Sequence, residues 1–471
     1  MGPIAGGSRG WPFAAALVDL AARGYVEDEW FIEGDAPRYR AVGDPGRDGR
    51  WAAERAGSGA FRTRALVRRP TDLARCNGTV VVEWNNVTSG HDIAEAGEGN
   101  VIFEEGLVWI GVSAQRVGVH GMGENQQGLL QWDPERYATL HIDDDALSYG
   151  IFTEVTRALA GNERQSGPLD GLDVQKLLAI GGSQSAMRLL TYINAVQPLE
   201  RLFDGFVPFT SFGIAAPLTD AAPFGSDETV RTKAQVRDDL GLPVLVVNTE
   251  CEAGMQFPVR QPDTDLFRCW EVAGAPHAPR LHMERIAAKL ERDGLGGPGG
   301  NAIDLDVLSP IPFAPVLDAG IGHMQAWMHT GTPPPSQPLI EVADGGPPKV
   351  VRDSDGNAVG GVRVPELAVP TGVAVAEMVE AGDAGLMGRW QPWDDVAMKA
   401  RYPSRNGLSR HLRGRGRRRC RRRRAPPLRC PGRDCQGDPT RPDVVLALLT
   451  HPMAPSSIPR VMISSTVCDG S

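Results

Sequence analysis

Short apolar runs of strand length alternate with longer segments of helical periodicity through the first two thirds of the chain. This alternation is typical of β-α-β units and predicts an α/β fold with a mostly parallel, doubly wound sheet. The first two runs carry polar residues between apolar ones, which predicts antiparallel strands, whereas the later runs are almost continuously apolar, as buried parallel strands are. The predicted strands are 25–32, 61–67, 79–84, 107–113, 177–180, 204–208, 243–247 and 267–272.

Helical periodicity predicts five longer helices between and after these strands. They are 146–159, 183–196, 227–240, 283–290 and 316–329. The segment of about 211–241 separates two predicted strands, and we expect it to form a small cap or lid insertion over the sheet.

Composition and charge narrow the class of protein. The chain has 471 residues, 41% of them hydrophobic and 23% charged, which is typical of a globular protein with a sizeable core. A formal net charge of −9 argues against nucleic acid as a partner of the main body, because phosphate binding needs a basic face. Seven cysteines, an odd number at irregular spacing, favour reduced thiols over a disulfide framework.

The N-terminal apolar stretch does not have the features of a targeting segment. Asp19 and Arg23 interrupt it, and no basic region precedes it. It therefore predicts neither a signal peptide nor a membrane span, and we expect a cytoplasmic protein.

The composition changes abruptly at about Arg405. Residues 405–471 contain a dense arginine run with almost no apolar periodicity, which cannot form a core. Three interpretations compete: a nucleic-acid-binding arm, a solvated disordered tail, and a stretch translated out of frame from a GC-rich gene. We favour the third, because the helical pattern of the body stops there.

A serine lies where a strand turns into a helix. An apolar strand, the turn Gly-Gly-Ser-Gln-Ser and an amphipathic helix follow one another around Ser183, as they do in the nucleophile elbow of serine hydrolases. Gly181 would let the helix pass close to the strand, and Ser185 replaces the second glycine of the usual pattern. The alternative is that Ser183 only caps the helix.

Candidate partners for this serine follow two later strands. Glu250 and Glu252 come after 243–247, and we prefer Glu252 as the triad acid because its greater distance from the strand lets it turn back over the sheet; Glu250 is the alternative acid. His277 lies on a Gly/Pro loop directly after 267–272, unlike the eight other histidines. The order predicts that His277 takes the proton of Ser183 while Glu252 fixes its tautomer.

An oxyanion hole should complete this site. We expect one donor from the backbone N–H of Gln184 and another from the loop Asn85-Asn86-Val87 after the strand 79–84. The alternative is that Asn85 and Asn86 only form a turn. No Walker loop or dinucleotide fingerprint follows a strand, and the spacing of Cys430 and Cys435 is too wide for a zinc knuckle, so we predict no cofactor and no metal.

Several segments also resemble a known family. GYVEDEWFIEG, VVVEWNNVTSG, LLAIGGSQSAMRLLTYINAVQPL and QPDTDLFRCWEVAGAPHA resemble the bacterial α/β-hydrolase domain-containing proteins, and the resemblance runs from about Gly10 to about Ser404. It implies an α/β-hydrolase fold, a catalytic domain over 1–404 and catalytic roles for Ser183, Glu252 and His277. Members continue with an ordinary helical C-terminus, so the arginine run supports the out-of-frame interpretation.

Three functional hypotheses follow. The first is a serine hydrolase that cleaves a small carboxylic ester or related acyl compound through an acyl-serine intermediate. The second is a non-catalytic protein that binds a small ligand in the hydrolase pocket, which the substitution at Ser185 and the altered C-terminus motivate. The third is association with nucleic acid through the arginine run. No feature of the sequence identifies the ester or sets an oligomeric state.

Overall fold

An eight-stranded sheet forms the centre of the protein. We describe it from a computed structural model, which covers residues 2–123, 127–161, 167–220, 232–295, 304–343 and 345–403. The first ten strands are β1 Tyr25–Val42, β2 Ala52–Pro70, β3 Thr79–Trp84, β4 Val108–Val112, β5 Lys176–Gly182, β6 Gly205–Phe209, β7 Ile214–Ala215, β8 Thr232–Lys233, β9 Val244–Thr249 and β10 Phe267–Val272.

The strand order of the large sheet is β1-β2-β4-β3-β5-β6-β9-β10. β1 pairs with β2 and β2 with β4 in antiparallel register, whereas every pairing from β4 to β10 is parallel. This confirms the predicted fold class, a mostly parallel α/β sheet with antiparallel strands at its N-terminal edge.

Helices cover both faces of the sheet. They are α1 Asn100–Glu104, α2 Arg116–His120, α3 Leu129–Trp132, α4 Pro134–Tyr137, α5 Ser148–Ala160, α6 Gln184–Thr191, α7 Gln197–Glu200, α8 Glu250–Gln256, α9 Arg280–Asp293, α10 Ala314–Thr330, α11 Pro365–Ala368 and α12 Asp395–Arg401. In β3, Val80 packs in one core cluster with Phe152 of α5, and its neighbour Val81 packs in the other with Ile321 of α10. Because successive side chains of a strand point to opposite faces, the near-continuous apolar sequence of β3 follows from burial on both sides.

Small two-stranded sheets accompany the main sheet. β7 pairs with β8, and the later strands β11 Val342–Ala343, β12 Lys349–Val350, β13 Gly372–Val375 and β14 Arg389–Pro392 form two further pairs. Within the described ranges, no helix combines the length and the hydropathy that a bilayer crossing requires.

Three predicted elements differ from the structure. The first two strands are far longer than predicted, because the outer halves of β1 and β2 pair as a hairpin whose side chains are mostly exposed and therefore carry no apolar signal. The helix predicted over 227–240 is wrong for residues 232–240, none of which is helical: Thr232–Lys233 pairs with β7, and Ala234 and Val236 are buried on either side of a half-buried residue. Residues 227–231 lie outside the described part, and the cap insertion stays a prediction.

Candidate active site

The carboxyl ends of four parallel strands meet at one edge of the sheet. β3 leads to Asn86, β5 to Ser183, β9 to Glu252 and β10 to His277. Ligand sites of open α/β sheets lie at this edge, outside the carboxyl ends of the strands. The structure therefore gathers the predicted site residues into one region.

The turn at Ser183 depends on glycines and on an unusual backbone conformation. Ser183 has φ 56° and ψ −118°, which L-residues rarely adopt. A Cβ on Gly182 would lie 2.2 Å from the ring of Phe209, and one on Gly181 would lie 3.1 Å from the carbonyl oxygen of Ser185. The backbone N–H of Ser183 donates to the Phe209 carbonyl at 3.1 Å and to Thr210 Oγ1 at 3.0 Å, which holds the strained turn.

Ser185, the departure from the usual elbow pattern, has a local hydrogen-bond partner. Its side chain is buried, and its Oγ donates to the Gly182 carbonyl at 2.8 Å. A glycine would leave that carbonyl without this bond, so the substitution is accommodated within the turn. Ser183 precedes α6, but its own side chain makes no capping hydrogen bond.

Ser183, His277 and Glu252 form a hydrogen-bonded line. His277 Nε2 lies 2.8 Å from Ser183 Oγ, and His277 Nδ1 lies 2.7 Å from Glu252 Oε1. An ionised carboxylate only accepts, so Nδ1–H donates to Glu252 and leaves Nε2 free to accept from the serine hydroxyl. The ring of Phe212 stacks on the imidazole with centroids 5.2 Å apart and 12° between the planes, which fixes the ring orientation further.

The two oxygens of Glu252 have different partners. Oε2 accepts from the backbone N–H of Thr249 at 2.9 Å and from its hydroxyl at 2.6 Å, so Glu252 closes a capping box at the start of α8. Oε1 is thereby directed to His277. Burial alone would raise the pKa of Glu252, but its bonds to His277 and Thr249 hold that pKa below the usual range.

Charges around the imidazole favour its protonated form. Burial lowers the pKa of His277, but the hydrogen bond to Glu252 and the negative charges of Glu252 and Glu95 raise it above the ordinary value. Burial and the nearby Glu83 raise the pKa of Glu95 to about 7. Glu95 therefore titrates near neutral pH, and the pKa of the neighbouring His277 lies above its ordinary value.

Glu250, the alternative acid, faces another partner. Its Oε1 lies 2.7 Å from Arg352 Nη1, and its Oε2 accepts from the backbone N–H of Gly274 at 2.7 Å. Its own N–H donates to the Ala275 carbonyl at 3.0 Å. Glu250 thus ties α8 to the loop that carries His277, and it makes no hydrogen bond to the imidazole itself.

The backbone donors of the predicted oxyanion hole are only partly free. The N–H of Asn85 donates to the Val112 carbonyl at 3.2 Å, and that of Asn86 donates to the Ile93 carbonyl at 2.9 Å, so neither can bind an oxyanion without breaking those bonds. Among the hydrogen bonds of the described residues, none uses the N–H of Val87. Gln184 opens α6, where N–H groups have no intrahelical partner.

The side chain of Asn86 links this loop to the elbow. Its Nδ2 donates to the Gly182 carbonyl and to Glu95 Oε1, both at 3.2 Å. Glu95 is itself anchored, because its N–H donates to Glu83 Oε1 at 2.6 Å. The loop after β3 is therefore fixed beside Ser183 by side chains as well as by the sheet.

Sequence reasoning did not single out Thr249, Thr210, Phe212 or Glu95. The Thr-x-x-Glu spacing of Thr249 and Glu252 is a capping-box signature that could have been recognised. Phe212 and Thr210 carry no such signal, because their roles depend on where the loop after β6 passes. Among described residues, no group of three or more His, Cys, Asp and Glu side chains could hold a metal ion, and Cys76, Cys251 and Cys269 are free thiols.

The fold is that of an α/β hydrolase. The chain matches the family model described as "Alpha/beta hydrolase domain" over residues 1–423, and it belongs to this family. The match extends beyond residue 404, which is the predicted C-terminal boundary of the catalytic domain. A search of curated proteins found no match.

Solved structures show weaker likeness. Esterase Est22 is 10% identical, with a TM-score of 0.29 and coverage of 53% of this chain and 72% of that one. An S-formylglutathione hydrolase from Agrobacterium tumefaciens is 13% identical, with a TM-score of 0.26 and coverage of 53% and 87%. A serine hydrolase without lid from Xanthomonas campestris is 10% identical, with a TM-score of 0.27 and coverage of 55% and 93%. The family match alone carries the assignment.

Proposed function

We propose that the protein is a serine hydrolase that cleaves a small carboxylic ester through an acyl intermediate on Ser183. The observation that carries the proposal is the line of two hydrogen bonds, 2.8 Å and 2.7 Å long, from Ser183 through His277 to Glu252. A serine hydroxyl is a weak nucleophile until an adjacent base accepts its proton. His277 is placed to be that base.

Acylation begins when Ser183 Oγ attacks the ester carbonyl carbon and its proton passes to His277 Nε2. Glu252 stabilises the imidazolium that forms, without becoming protonated. The tetrahedral intermediate collapses as the bond to the alcohol oxygen breaks, and the proton on Nε2 passes to that oxygen. The alcohol leaves, and the acyl group stays on Ser183.

Deacylation repeats the sequence with water. His277 takes a proton from a water molecule, whose oxygen attacks the acyl carbon, and then returns a proton to Ser183 Oγ as that bond breaks. The products are a carboxylic acid and the regenerated serine. One base serves both halves of the reaction because its tautomer is fixed by Glu252.

Two backbone N–H groups are proposed to bind the oxyanion. Gln184 supplies one, as predicted, and Val87 replaces Asn85 and Asn86 as the second donor because its N–H has no other partner among the described residues. Loss of one such donor typically costs about 10²- to 10³-fold in rate.

A fluorophosphonate probe and p-nitrophenyl acetate test the proposal. We expect the wild type to be labelled and active, and Ser183→Ala to lose labelling and at least about 10⁴-fold in kcat. Ser336→Ala, which changes an exposed serine, is the matched control and should behave as the wild type. Labelling or turnover that persists in Ser183→Ala would overturn the assignment.

The same measurements separate the binding-protein alternative. A non-catalytic ligand-binding protein would show neither labelling nor turnover in the wild type. The hydrogen bond of Ser185 within the elbow removes one of the two reasons for that alternative. The other, the arginine run, lies outside the described residues.

A further inference from the structure

A mainly apolar groove runs along one side of α9. Its other walls come from the N-terminal segment before β1 and from the loop after β3, and the apolar side chains that line it are Phe13, Ala14, Ile93, Ala94, Ile286, Leu290 and Leu295. We call this the α9 groove. Along α9 its lining runs from His282 to Asp293, and the part up to Leu290, the last apolar lining residue of this helix, is about 12 Å long at 1.5 Å per residue.

Charged residues of the α9 groove are largely compensated within the protein. Lys289 pairs with Glu98 at 2.5 Å, and Asp92 pairs with Arg64 at 3.0 Å. Asp293 accepts from the indole of Trp11 at 2.9 Å and from a backbone N–H.

Two further residues of the groove carry little or no buried charge. Arg285 is exposed. Burial and the positive charges nearby lower the pKa of His282 to about 4, so this imidazole is neutral at neutral pH. Apart from Glu95, whose pKa burial and Glu83 raise to about 7, the charges on the described walls of the groove are paired or exposed, and the groove suits an uncharged, apolar ligand.

The inner end of the α9 groove lies beside the proposed triad. Glu95 and His282 form that end, and both interact electrostatically with His277. Asn86 Nδ2 donates to Glu95 Oε1 and to the carbonyl of Gly182, the residue before Ser183, and both bonds are 3.2 Å long. Ser183 and His277 do not themselves line the described groove, so a chain attached to a carbonyl at Ser183 would reach it only beyond Glu95.

We propose that the α9 groove binds the hydrocarbon chain of the substrate, so that the protein acts on esters of unbranched, medium-length aliphatic acids. This inference rests on the proposed function and adds the substrate class. A chain of roughly eight to ten carbons would fill about 12 Å of groove. Because each buried methylene contributes apolar contact, kcat/KM should rise about fourfold per methylene until the groove is full.

A series of p-nitrophenyl esters from acetate to dodecanoate tests the proposal in the wild type. We expect kcat/KM to increase to about the octanoate or decanoate and then level off. Esters of equal length that end in a carboxylate or an ammonium group should be at least tenfold poorer, because beyond Glu95 the charges on the described walls of the groove are paired or exposed. A preference for acetate, or for a charged chain end, would overturn the inference.

Two neighbouring positions on α9 give matched variants. Ile286→Trp should fill the groove and lower kcat/KM for the octanoate at least tenfold while the acetate value changes less than twofold. Ala287→Trp is the control, since Ala287 is exposed and does not line the groove. Ile286→Ala, which removes bulk and needs no rearrangement to fit, should lower the octanoate value by several-fold and leave the acetate value unchanged.

The outcomes distinguish the two proposals. If Ser183 is labelled and acetate is cleaved, but Ile286→Trp lowers acetate and octanoate hydrolysis equally or lowers neither, the groove has another role and the hydrolase assignment stands. If the wild type neither reacts with the fluorophosphonate nor cleaves any ester, the hydrolase assignment itself fails. In that second case the substrate class fails with it.

Discussion

One carboxylate oxygen of Glu252 accepts hydrogen bonds at the start of α8, and the other accepts from the imidazole of His277. Oε2 is held by Thr249, and Oε1 meets His277 at 2.7 Å. A carboxylate without the Thr249 bonds would have more rotamers available and would direct the imidazole less well. The placement of His277 therefore depends on a helix cap that precedes the acid by three residues.

The raised pKa of His277 predicts a pH dependence. The neutral imidazole is the form that accepts the serine proton, so kcat/KM should fall as pH drops through the pKa, and this midpoint should lie above the ordinary value of about 6.5. The pH profile of kcat/KM with p-nitrophenyl acetate measures it. A midpoint at or below about 6.5 would contradict the electrostatics described above.

Glu95→Gln separates the contributions to that midpoint. Glu95 and Glu252 raise the pKa of His277, whereas His277 and His282 disfavour each other's charge. The amide keeps an acceptor for Asn86 but removes a charge, so the acid limb should move to lower pH. An unchanged limb would show that Glu95 does not act on His277.

The sequence predicts which side chains form the candidate site better than it predicts which backbone N–H groups are free to donate. Ser183, Glu252 and His277 could be proposed because each follows an apolar strand in the order that a triad requires. Asn85 and Asn86 were proposed as donors on the same reasoning, but a bridge between Asn86 and Ile93 engages the N–H of Asn86. Such a bridge depends on how the loop folds back, which no periodicity reveals.

At the scale of elements, α8 and the histidine loop are joined through Glu250. The carboxylate is fully buried, while the Arg352 side chain that pairs with it is 19% exposed and follows β12. Arg352 also pairs with Glu380 at 2.8 Å. The segment after β12 therefore neutralises the buried charge of Glu250, which joins α8 to the loop that carries His277.

Arg352→Met should destabilise the fold strongly. It leaves Glu250 buried without a countercharge, which typically costs about 3 kcal/mol or more. Burial raises the pKa of Glu250, and the positive charge of Arg352 opposes that rise. Without Arg352, Glu250 therefore takes up a proton at a higher pH in the folded state than in the unfolded chain. The loss in the free energy of unfolding should be largest at neutral pH and shrink as pH falls.

Urea unfolding of single and double variants measures this effect. Arg352→Met combined with Glu250→Gln removes both charges and should recover a large part of the loss, because no buried carboxylate is left unpaired. Equal stability of the single and double variants at neutral pH would contradict the pairing.

Element boundaries were predictable where burial is uniform. β3 and β10 begin and end at the predicted residues because their side chains are buried on both faces. The helix predicted over 227–240 failed at residues 232–240, where antiparallel pairing with β7 and alternating burial outweigh local helical periodicity.

At the scale of the whole molecule, the last described residues bond to earlier parts of the chain. The hydroxyl of Tyr402 donates to the Pro370 carbonyl at 2.8 Å, and Arg401 pairs with Asp355 at 2.7 Å. The family match continues to residue 423, into the arginine run. The three interpretations of residues 405–471 lie outside the described part, and the domain boundary at 404 stays a prediction.

The backbone conformation of Ser183 also affects the stability of the entire fold. A non-glycine residue held outside the allowed φ/ψ regions costs about 1–3 kcal/mol. Ser183→Gly, which relaxes that cost, should therefore unfold at a higher temperature than Ser183→Ala, although neither variant would be active. If so, selection for a reactive hydroxyl has kept this chain below the stability that its own scaffold permits.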